Sequence, residues 1–401
     1  MVQIHLDDRE PLGAGVTTWT SVALDLQSIS IGRAARGKPP IIRTLRRAND
    51  WHCEETGVTV GSDVNSRHRF YQLVPEDAFC SSFLNLYHVL YTIALQILGA
   101  AAEGGATGAT LVFPANAASI LKKTGVLQIG CSDETRSRWS ENGGHNQQIL
   151  LAGLGLAMNG TSAPVLASAS STWPQGKRFL CANTLIAGKM RDSTGVWWHR
   201  GRMKVAEHPA LAAAIAAMGS NLREAAGCSR SRSGAGARCS TAREQSKPRV
   251  TWWGRGNGTR SVVNSDAMMD AVRRWSDQAA GPVVRYYENP AALALPEQLA
   301  AFAATDVLIS PHGAGIALSP IMAEGSTVIE LWGDSWYHYE LFANIATLAG
   351  LSYKAVRCES VGRAPGIYKP KEASDYSMKC APQDLVQHVA EAVDLWARKT
   401  S

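Results

Sequence analysis

The amino-acid sequence predicts an α/β protein whose second half contains a mostly parallel β-sheet. Residues 249–356 alternate short strand-type runs with helical stretches, which is the pattern of βαβ units. Glycines follow two of the strand-type runs, where the chain turns toward the next helix. Of the 401 residues, 45% are hydrophobic and 18% are charged, so the chain has enough apolar surface for buried cores and is not disordered.

The first half is predicted to form a separate α/β domain over residues 41–226, after a polar lead-in. A linker or flexible loop over residues 227–248 follows, because this stretch is rich in Ser, Arg, Gly and Ala and has almost no large apolar residue. A short RNA-binding Arg/Ser segment is the alternative interpretation of the linker. The expected elements of the first half are the strands Val16–Leu26, Leu111–Phe113 and Val126–Ile129 and the helices Leu84–Ala101 and His208–Ala226.

The second half is predicted to form one domain over residues 249–380, followed by a closing helix over residues 381–398. Asn264 or Ser265 is the expected N-cap of its first helix, and Gly350 is expected to end its fourth. The expected strands are Arg249–Trp253, Val283–Tyr287, Val307–Ile309, Val328–Trp332 and Ser352–Val356. The expected helices are Ser265–Gln278, Pro296–Ala304, Ile316–Ala323, Tyr339–Ala349 and Pro382–Ala397.

The turn after the third of these strands is the most informative motif. It reads His312-Gly313-Ala314-Gly315 and leads from a predicted strand into a predicted helix. A helix N-terminus carries bare N–H groups and roughly half a positive charge. Glycines let an anion approach the backbone closely. The motif therefore predicts a site for a phosphate or an oxyanion, and a tight turn around a buried histidine is the alternative.

A second glycine-rich connection, containing Arg255 and Arg260, follows the first strand of the same sheet. Arg presents a fixed fork of donors that suits phosphate oxygens. Both connections are expected at the carboxyl edge of the sheet, where open α/β sheets bind ligands. Together they predict a cradle for a diphosphate. Glu330, in the strand that follows, is expected to accept hydrogen bonds from ribose hydroxyls; an ordinary strand-end carboxylate is the alternative.

Residues 249–356 resemble the C-terminal domain of glycosyltransferase family 61, which includes plant cell-wall xylosyltransferases and the EGF-domain O-GlcNAc transferase. Arg255, Arg260 and Asn264 match the spacing of the family's Arg, Arg and Asn motif. A later block of the family runs from T-D through H-G-A-G to V-I-E, and a last element has the form Y…A…GL.Y. The residues that match these two blocks are Thr305, Asp306, His312, Gly313, Ala314, Gly315, Gly325, Val328, Ile329, Glu330, Tyr339, Ala343, Gly350, Leu351 and Tyr353.

The resemblance implies a GT-B architecture, in which two Rossmann-like domains face each other across a cleft. It implies an inverting transferase that moves a sugar, GlcNAc or xylose first, from a UDP-sugar to a hydroxyl of a protein or a polysaccharide, in the ER or Golgi lumen. Neither a cofactor nor a metal ion is expected, and no DxD motif stands out in the sequence. The nucleotide-sugar-binding residues that it implies are Arg255, Arg260, Asn264, His312, Gly313, Ala314, Gly315 and Glu330.

Two histidines are candidate catalytic residues, His88 and His312. The stretch 85–88 resembles an N-terminal element of the family, but Thr92 stands where the family often has an acidic residue. A core histidine on a helical face is the alternative for His88. The carboxylates that remain candidates for the general base are Glu54, Glu55 and Asp77.

Two other classes of function stay open. The HGAG loop also resembles the oxyanion-hole loop of lipases and esterases, and Ser335 lies in a stretch one residue short of a nucleophile elbow. Tyr337 replaces the last glycine of that elbow, which counts against a serine hydrolase. A non-catalytic nucleotide-sugar binder is the third class, with Trp252 and Trp253 either as sugar platforms or as core residues.

Charge and composition limit the kinds of partner, membrane attachment and metal site that are expected. The net charge is +6 with scattered basic residues, so a nucleic-acid partner is not expected. Neither a signal peptide nor an apolar run of about 18 residues is visible, so no membrane anchor is expected within this sequence. The eight cysteines form no CxxC pair, which argues against zinc; disulfides and free thiols remain alternatives.

Overall fold

The computed structural model divides the chain into two compact units, Met1–Thr194 and Gly195–Ser401. Mixed α/β structure, the predicted class, is present in both. The predicted division lay later, at residues 227–248, most of which fall outside the described part of the chain. The structure describes residues 16–25, 45–47, 70–73, 89–103, 110–112, 148–150, 152–155, 179–188, 202–228, 247–256, 260–278, 281–334, 340–361 and 376–400.

The first unit contains a five-stranded sheet in the order β2-β1-β5-β3-β4. Strand β1 is antiparallel to β2 and to β5, whereas β3 runs parallel to β4 and β5. The predicted strands at 16–26 and 111–113 are confirmed within a residue, whereas 126–129 lies outside the described residues. The strands are β1 (Val16–Asp25), β2 (Leu45–Arg47), β3 (Phe70–Leu73), β4 (Thr110–Val112) and β5 (Phe179–Gly188).

The helix predicted at 84–101 is present over the described residues 89–103, and Val89–Ala94 within it is π-helical. The α-helix α1 (Leu95–Glu103) continues it. Leu90, Tyr91 and Leu95 are buried, which explains the apolar spacing that predicted this helix.

The second unit contains a six-stranded sheet in the order β11-β10-β9-β8-β6-β7. The five strands from β6 to β10 are parallel, and β11 pairs antiparallel with β10. In chain order the parallel strands are arranged 2-1-3-4-5, which is the doubly wound order of flavodoxin-like proteins. The strands are β6 (Arg249–Trp253), β7 (Val283–Tyr287), β8 (Val307–Pro311), β9 (Thr327–Gly333), β10 (Ser352–Val361) and β11 (Ser377–Lys379).

The α-helices of the second unit agree closely with the sequence prediction. Gly350 has a φ of +72°, so it ends a helix in the left-handed conformation that favours glycine. The helices are α2 (Pro209–Ala225), α3 (Ser265–Gln278), α4 (Leu295–Ala303), α5 (Leu341–Leu348) and α6 (Pro382–Thr400).

Helix α2 packs within the second unit, although the sequence analysis placed it in the first domain. A Cβ added at Gly219 would lie 2.2 Å from the carbonyl oxygen of Pro320, so the helix backbone approaches this segment closely. Arg223 Nη1 donates to the carbonyl oxygens of Pro320 and Met322, each at 3.0 Å. These long-range contacts explain why the second unit begins before α2.

The helix predicted at Ile316–Ala323 is wrong in type and bounds, because the chain forms a 3₁₀ helix over Ala314–Ile321. The stretch Ile316–Ile321 is buried throughout, so the segment has no polar face of the kind an amphipathic α-helix presents. Pro320 lies inside it and donates no backbone hydrogen bond. The positive end of an α-helix, on which the anion-site prediction partly depended, is therefore replaced by the first turn of a 3₁₀ helix.

The buried face of β6, β8 and β9 forms the core with α3 and α6. Val250, Val307 and Ile329 each have 0% exposure. The alternation of a strand places the neighbouring residues on the opposite face, which carries the side chains described below.

A buried polar clip joins β6 to β8 at the amino edge of the sheet. Arg249 is 1% exposed, and the Oδ2 atom of Asp306 accepts hydrogen bonds from its backbone nitrogen at 2.8 Å and from its Nε at 3.4 Å. The hydroxyl groups of Thr305 and Thr251 are hydrogen-bonded, with their oxygens 2.8 Å apart. The T-D motif therefore serves the alignment of two central strands.

A disulfide joins Cys358 on β10 to Cys380 just after β11. The structure thus decides between disulfide and free thiol for these two residues. Among the described helices, none has the length and apolar character required to cross a membrane.

Candidate functional site

The two predicted anion loops meet where the strand order of the second sheet reverses. The connection after β6 contains Arg255, and the connection after β8 contains His312. Strands β6 and β8 are neighbours, whereas the chain continues from β6 to β7 on the other side. Ligands of open α/β sheets bind in the crevice at this switch point, beyond the carboxyl ends of the strands. The sequence prediction that both loops share one sheet edge is confirmed by this topology.

The glycines of the His312 loop allow side chains to lie directly against its backbone. Arg255 Nη1 donates to the carbonyl oxygen of His312 at 3.2 Å. A Cβ added at Gly313 would lie 1.8 Å from the same nitrogen, and one added at Gly315 would lie 2.9 Å from the Trp253 ring. Gly313 is therefore required so that the guanidinium of Arg255 can approach the loop, a role the sequence analysis had assigned to the approach of an anion.

Arg255 and Arg260 are close enough to influence each other electrostatically. Burial, followed by the charge of Arg260, lowers the pKa of Arg255 to about 10. Arg255 remains a cation at neutral pH, although its guanidinium is partly buried and lies near the charge of Arg260. An anion between the two guanidinium groups would relieve this repulsion.

Arg260 has a left-handed backbone conformation, with φ of 62°. A long side chain rarely adopts this region, and residues held in it are concentrated at functional sites. The residues that follow Arg260 are fixed by β11: Val263 N donates to Met378 O at 2.9 Å and Met378 N donates to Ser261 O at 2.8 Å. This pairing holds the Arg260 loop in its strained conformation.

Asn264 completes that attachment. Its Nδ2 donates to Cys380 O at 2.8 Å, and its Oδ1 accepts from Cys380 N at 3.1 Å. The side chain thus pairs with both backbone groups of a disulfide-bonded residue. Its geometry favours a part in shaping the site over direct contact with a nucleotide.

Replacing Asn264 with alanine is expected to lower the free energy of unfolding by about 1–3 kcal/mol, because two backbone groups of Cys380 lose their partner. Chemical denaturation measures this change. Replacing the exposed Asp270 on the adjoining helix α3 serves as a surface control. A variant as stable as the wild type would show that these hydrogen bonds do not hold the loop.

A second cluster lies behind the His312 loop. His312 Nδ1 lies 2.5 Å from Glu330 Oε1, and the Tyr353 hydroxyl donates to Glu330 Oε2 at 2.5 Å. The side chain of Glu330 has 0% exposure and that of His312 has 16%. Since both oxygens of Glu330 are engaged inside the protein, its geometry differs from that of the ribose acceptor expected from the sequence.

Aromatic rings fix the plane of the imidazole. Trp332 lies against His312 with ring centroids 4.2 Å apart, and Phe342 meets it edge-on at 5.3 Å. Trp332 Nε1 also donates to the Tyr353 hydroxyl at 3.3 Å. His312 is consequently held on several sides while keeping part of its surface accessible.

Tyr353 is a residue of this cluster that the sequence analysis did not assign to the site. It was noted within the last family element, but nothing local connects it to Glu330. Strand β10 pairs in parallel with β9 so that Tyr353 opposes Val328, which makes Tyr353 and Glu330 diagonal neighbours on one face. The register of two strands, rather than a motif, brings them together.

The remaining candidate residues either lie outside the described part of the chain or are buried in the core. His88 lies outside the described residues, as do Ser335 and Tyr337 of the hydrolase alternative. Trp252 is 0% exposed and Trp253 is 3% exposed, so they are core residues and not sugar platforms. Trp253 packs against Tyr287 and Phe302.

Doubly wound α/β proteins bind their ligands at the switch point of the sheet, and here that point carries two arginines and a glycine-rich turn. Comparison with protein families adds a match: residues 182–329 match the family model described as Glycosyltransferase 61. This match confirms the resemblance seen in the motifs, and the protein is a glycosyltransferase. The matched range contains every predicted site residue of the second unit except Glu330, which follows it directly. Comparison with curated proteins gave no match.

Proposed function

We propose that this protein is an inverting, metal-independent glycosyltransferase that moves a sugar from a UDP-sugar to a hydroxyl of a protein or polysaccharide. The observation that carries the proposal is the pair Arg255 and Arg260 at the switch point. Their mutual repulsion and the partial burial of Arg255 favour a bound anion. A diphosphate satisfies both guanidinium groups with charge-assisted hydrogen bonds.

These two cations supply what a metal ion otherwise provides. The departing UDP gains negative charge as the bond to the sugar breaks. Fixed positive groups aimed at that charge stabilise the transition state without reorganising. The backbone of Gly313, Ala314 and Gly315 lies at the same loop, and Asn264 serves by holding the segment that carries Arg260.

Inversion requires the acceptor hydroxyl to attack the sugar from the side opposite to UDP. A general base removes the hydroxyl proton as the new bond forms. His88 remains the candidate from the first unit, and His312 the candidate from the second. The GT-B pairing of the two units also stays a prediction from the family resemblance.

The substrates and the compartment are proposed from the family. The donor is UDP-GlcNAc or UDP-xylose, and no nucleic-acid partner is involved. The family is typical of the secretory pathway, and we propose the ER or Golgi lumen. The disulfide between Cys358 and Cys380 supports an oxidising compartment, because such bonds are rare in the cytosol.

Replacing Arg255 or Arg260 with alanine is expected to weaken UDP binding by about 1.5–3 kcal/mol, the range for hydrogen bonds to charged groups. Titration calorimetry of the full chain with UDP, in the presence of EDTA, measures the change. Arg273→Ala on α3 is the matched control, because that arginine pairs at the surface with Asp270.

Unchanged UDP affinity in both site variants would refute the site. Loss of wild-type binding upon EDTA treatment would refute metal independence. UDP binding without turnover of any UDP-sugar, in the presence of acceptor extracts, would favour a non-catalytic binder. Labelling of Ser335 by a serine-reactive phosphonate would favour the hydrolase.

A further inference from the structure

The carboxylate of Glu330 is buried at the centre of strand β9, where an isolated negative charge is costly. Two donors compensate it. The Tyr353 hydroxyl lies 2.5 Å from Oε2, and His312 Nδ1 lies 2.5 Å from Oε1. These two partners account for the burial of Glu330 without a contact to a ribose hydroxyl.

A carboxylate next to Nδ1 selects the form of the imidazole. The ring nitrogen that faces a hydrogen-bond acceptor carries a proton, so Nδ1 is bonded to Glu330 and Nε2 is the nitrogen that can interact with a ligand. This assignment follows from the hydrogen-bond network. Trp332 and Phe342 hold the ring plane, which leaves the imidazole little freedom to flip.

Tyr353 has the properties of a fixed donor. Burial first, then the charge of Glu330, raises the pKa of its hydroxyl well above the usual range, so it stays protonated. Trp332 Nε1 donates to its oxygen at 3.3 Å, which directs the hydroxyl proton toward Glu330. The same tryptophan packs against His312, so Trp332 connects Tyr353 with the imidazole that Glu330 binds.

We propose that Glu330 and Tyr353 are positioning residues that hold His312 with a protonated Nδ1 and present its Nε2 to the donor diphosphate. The inference deepens the proposed function and rests on it, because it assigns to His312 a ligand bound by Arg255. The carbonyl oxygen of His312 accepts from Arg255, so the guanidinium is attached to the loop that carries the imidazole. Neither Glu330 nor Tyr353 touches the nucleotide.

Two conservative variants test the inference in the full chain. Glu330→Gln keeps the shape of the side chain, but the introduced amide is able to donate to Nδ1 and so favours the opposite tautomer. Tyr353→Phe removes one hydroxyl and leaves the carboxylate. Tyr286→Phe is the matched control, because that tyrosine lies in the same sheet, donates to Glu288 at 2.7 Å and packs against Trp252.

The first measurement is ¹⁵N NMR of histidine-labelled protein without ligand, with the His312 signal assigned by its absence in His312→Gln. The wild type and Tyr286→Phe are expected to show a protonated Nδ1, and Glu330→Gln is expected to shift the proton toward Nε2. The second measurement is UDP affinity. We expect it to fall about 10-fold or more in Glu330→Gln and several-fold in Tyr353→Phe.

The outcomes separate the two proposals. Wild-type protein that does not bind UDP refutes the proposed function, and the NMR result then decides the positioning of His312 by itself. Wild-type binding with identical His312 signals in Glu330→Gln overturns the positioning role. Equal UDP affinities in Tyr353→Phe and Tyr286→Phe overturn the part assigned to Tyr353.

Discussion

Replacing Asp306 with alanine is expected to lower the free energy of unfolding by about 3–5 kcal/mol, because it removes the carboxylate that is paired with the buried charge of Arg249. Arg249 is 1% exposed at the start of the central strand β6. Asp306 accepts from both its Nε and its backbone nitrogen. Urea denaturation followed by circular dichroism measures the loss.

The matched control is Asp270→Ala, which removes an arginine–aspartate pair on the surface of α3. The side chains of that pair are 48% and 56% exposed, so its loss is expected to change stability by about 1 kcal/mol or less. An effect of Asp306→Ala no larger than that of the control would show that the clip does not hold β6 to β8. Because the clip is at the amino edge of the sheet, folded Asp306→Ala protein is expected to bind UDP normally.

The pH dependence offers an independent check on Asp306. Burial raises its pKa above the ordinary value, although Arg249 opposes the shift. The folded state therefore binds this proton more tightly than the unfolded state does. The stabilisation that comes from binding this proton is present at low pH, and it is lost as the pH rises through the folded-state pKa of Asp306. The difference in unfolding free energy between wild type and Asp306→Asn should change with pH over that range.

Replacing Gly313 with alanine is expected to weaken UDP binding by about 1.5–3 kcal/mol, equal to the loss of the Arg255 contact. A Cβ at this position would lie 1.8 Å from Arg255 Nη1, so the guanidinium must leave the loop. The far end of an arginine is flexible, so the fold is expected to survive. Calorimetry with UDP gives the affinity, and thermal denaturation gives the stability.

A double-mutant cycle identifies the cause. If alanine at 313 acts by displacing Arg255, the double variant with Arg255→Ala should bind UDP no more weakly than Arg255→Ala alone. Additive losses would instead show that Gly313 contributes separately, for example through the backbone of the loop. Wild-type affinity in Gly313→Ala would contradict the close approach seen in the structure.

Local sequence patterns were sufficient for most elements of the second unit. Arg249–Trp253, Val283–Tyr287 and Ser265–Gln278 were predicted at their observed bounds, because apolar period and capping residues are properties of neighbouring positions. The 3₁₀ segment Ala314–Ile321 was mistaken for an α-helix. Its buried surroundings, which include helix α2, are contributed by chain far from it in sequence.

By itself, the sequence determined the βαβ order, the two loops that share a sheet edge and the resemblance to the family. These follow from residue types at fixed spacing, and a parallel sheet brings successive loops to one edge. The tertiary structure alone decided that Glu330 faces His312 and Tyr353, and that Gly313 makes room for Arg255. Those contacts depend on strand register and on close approach between loops, and neither quantity is encoded by the spacing of residues along one segment.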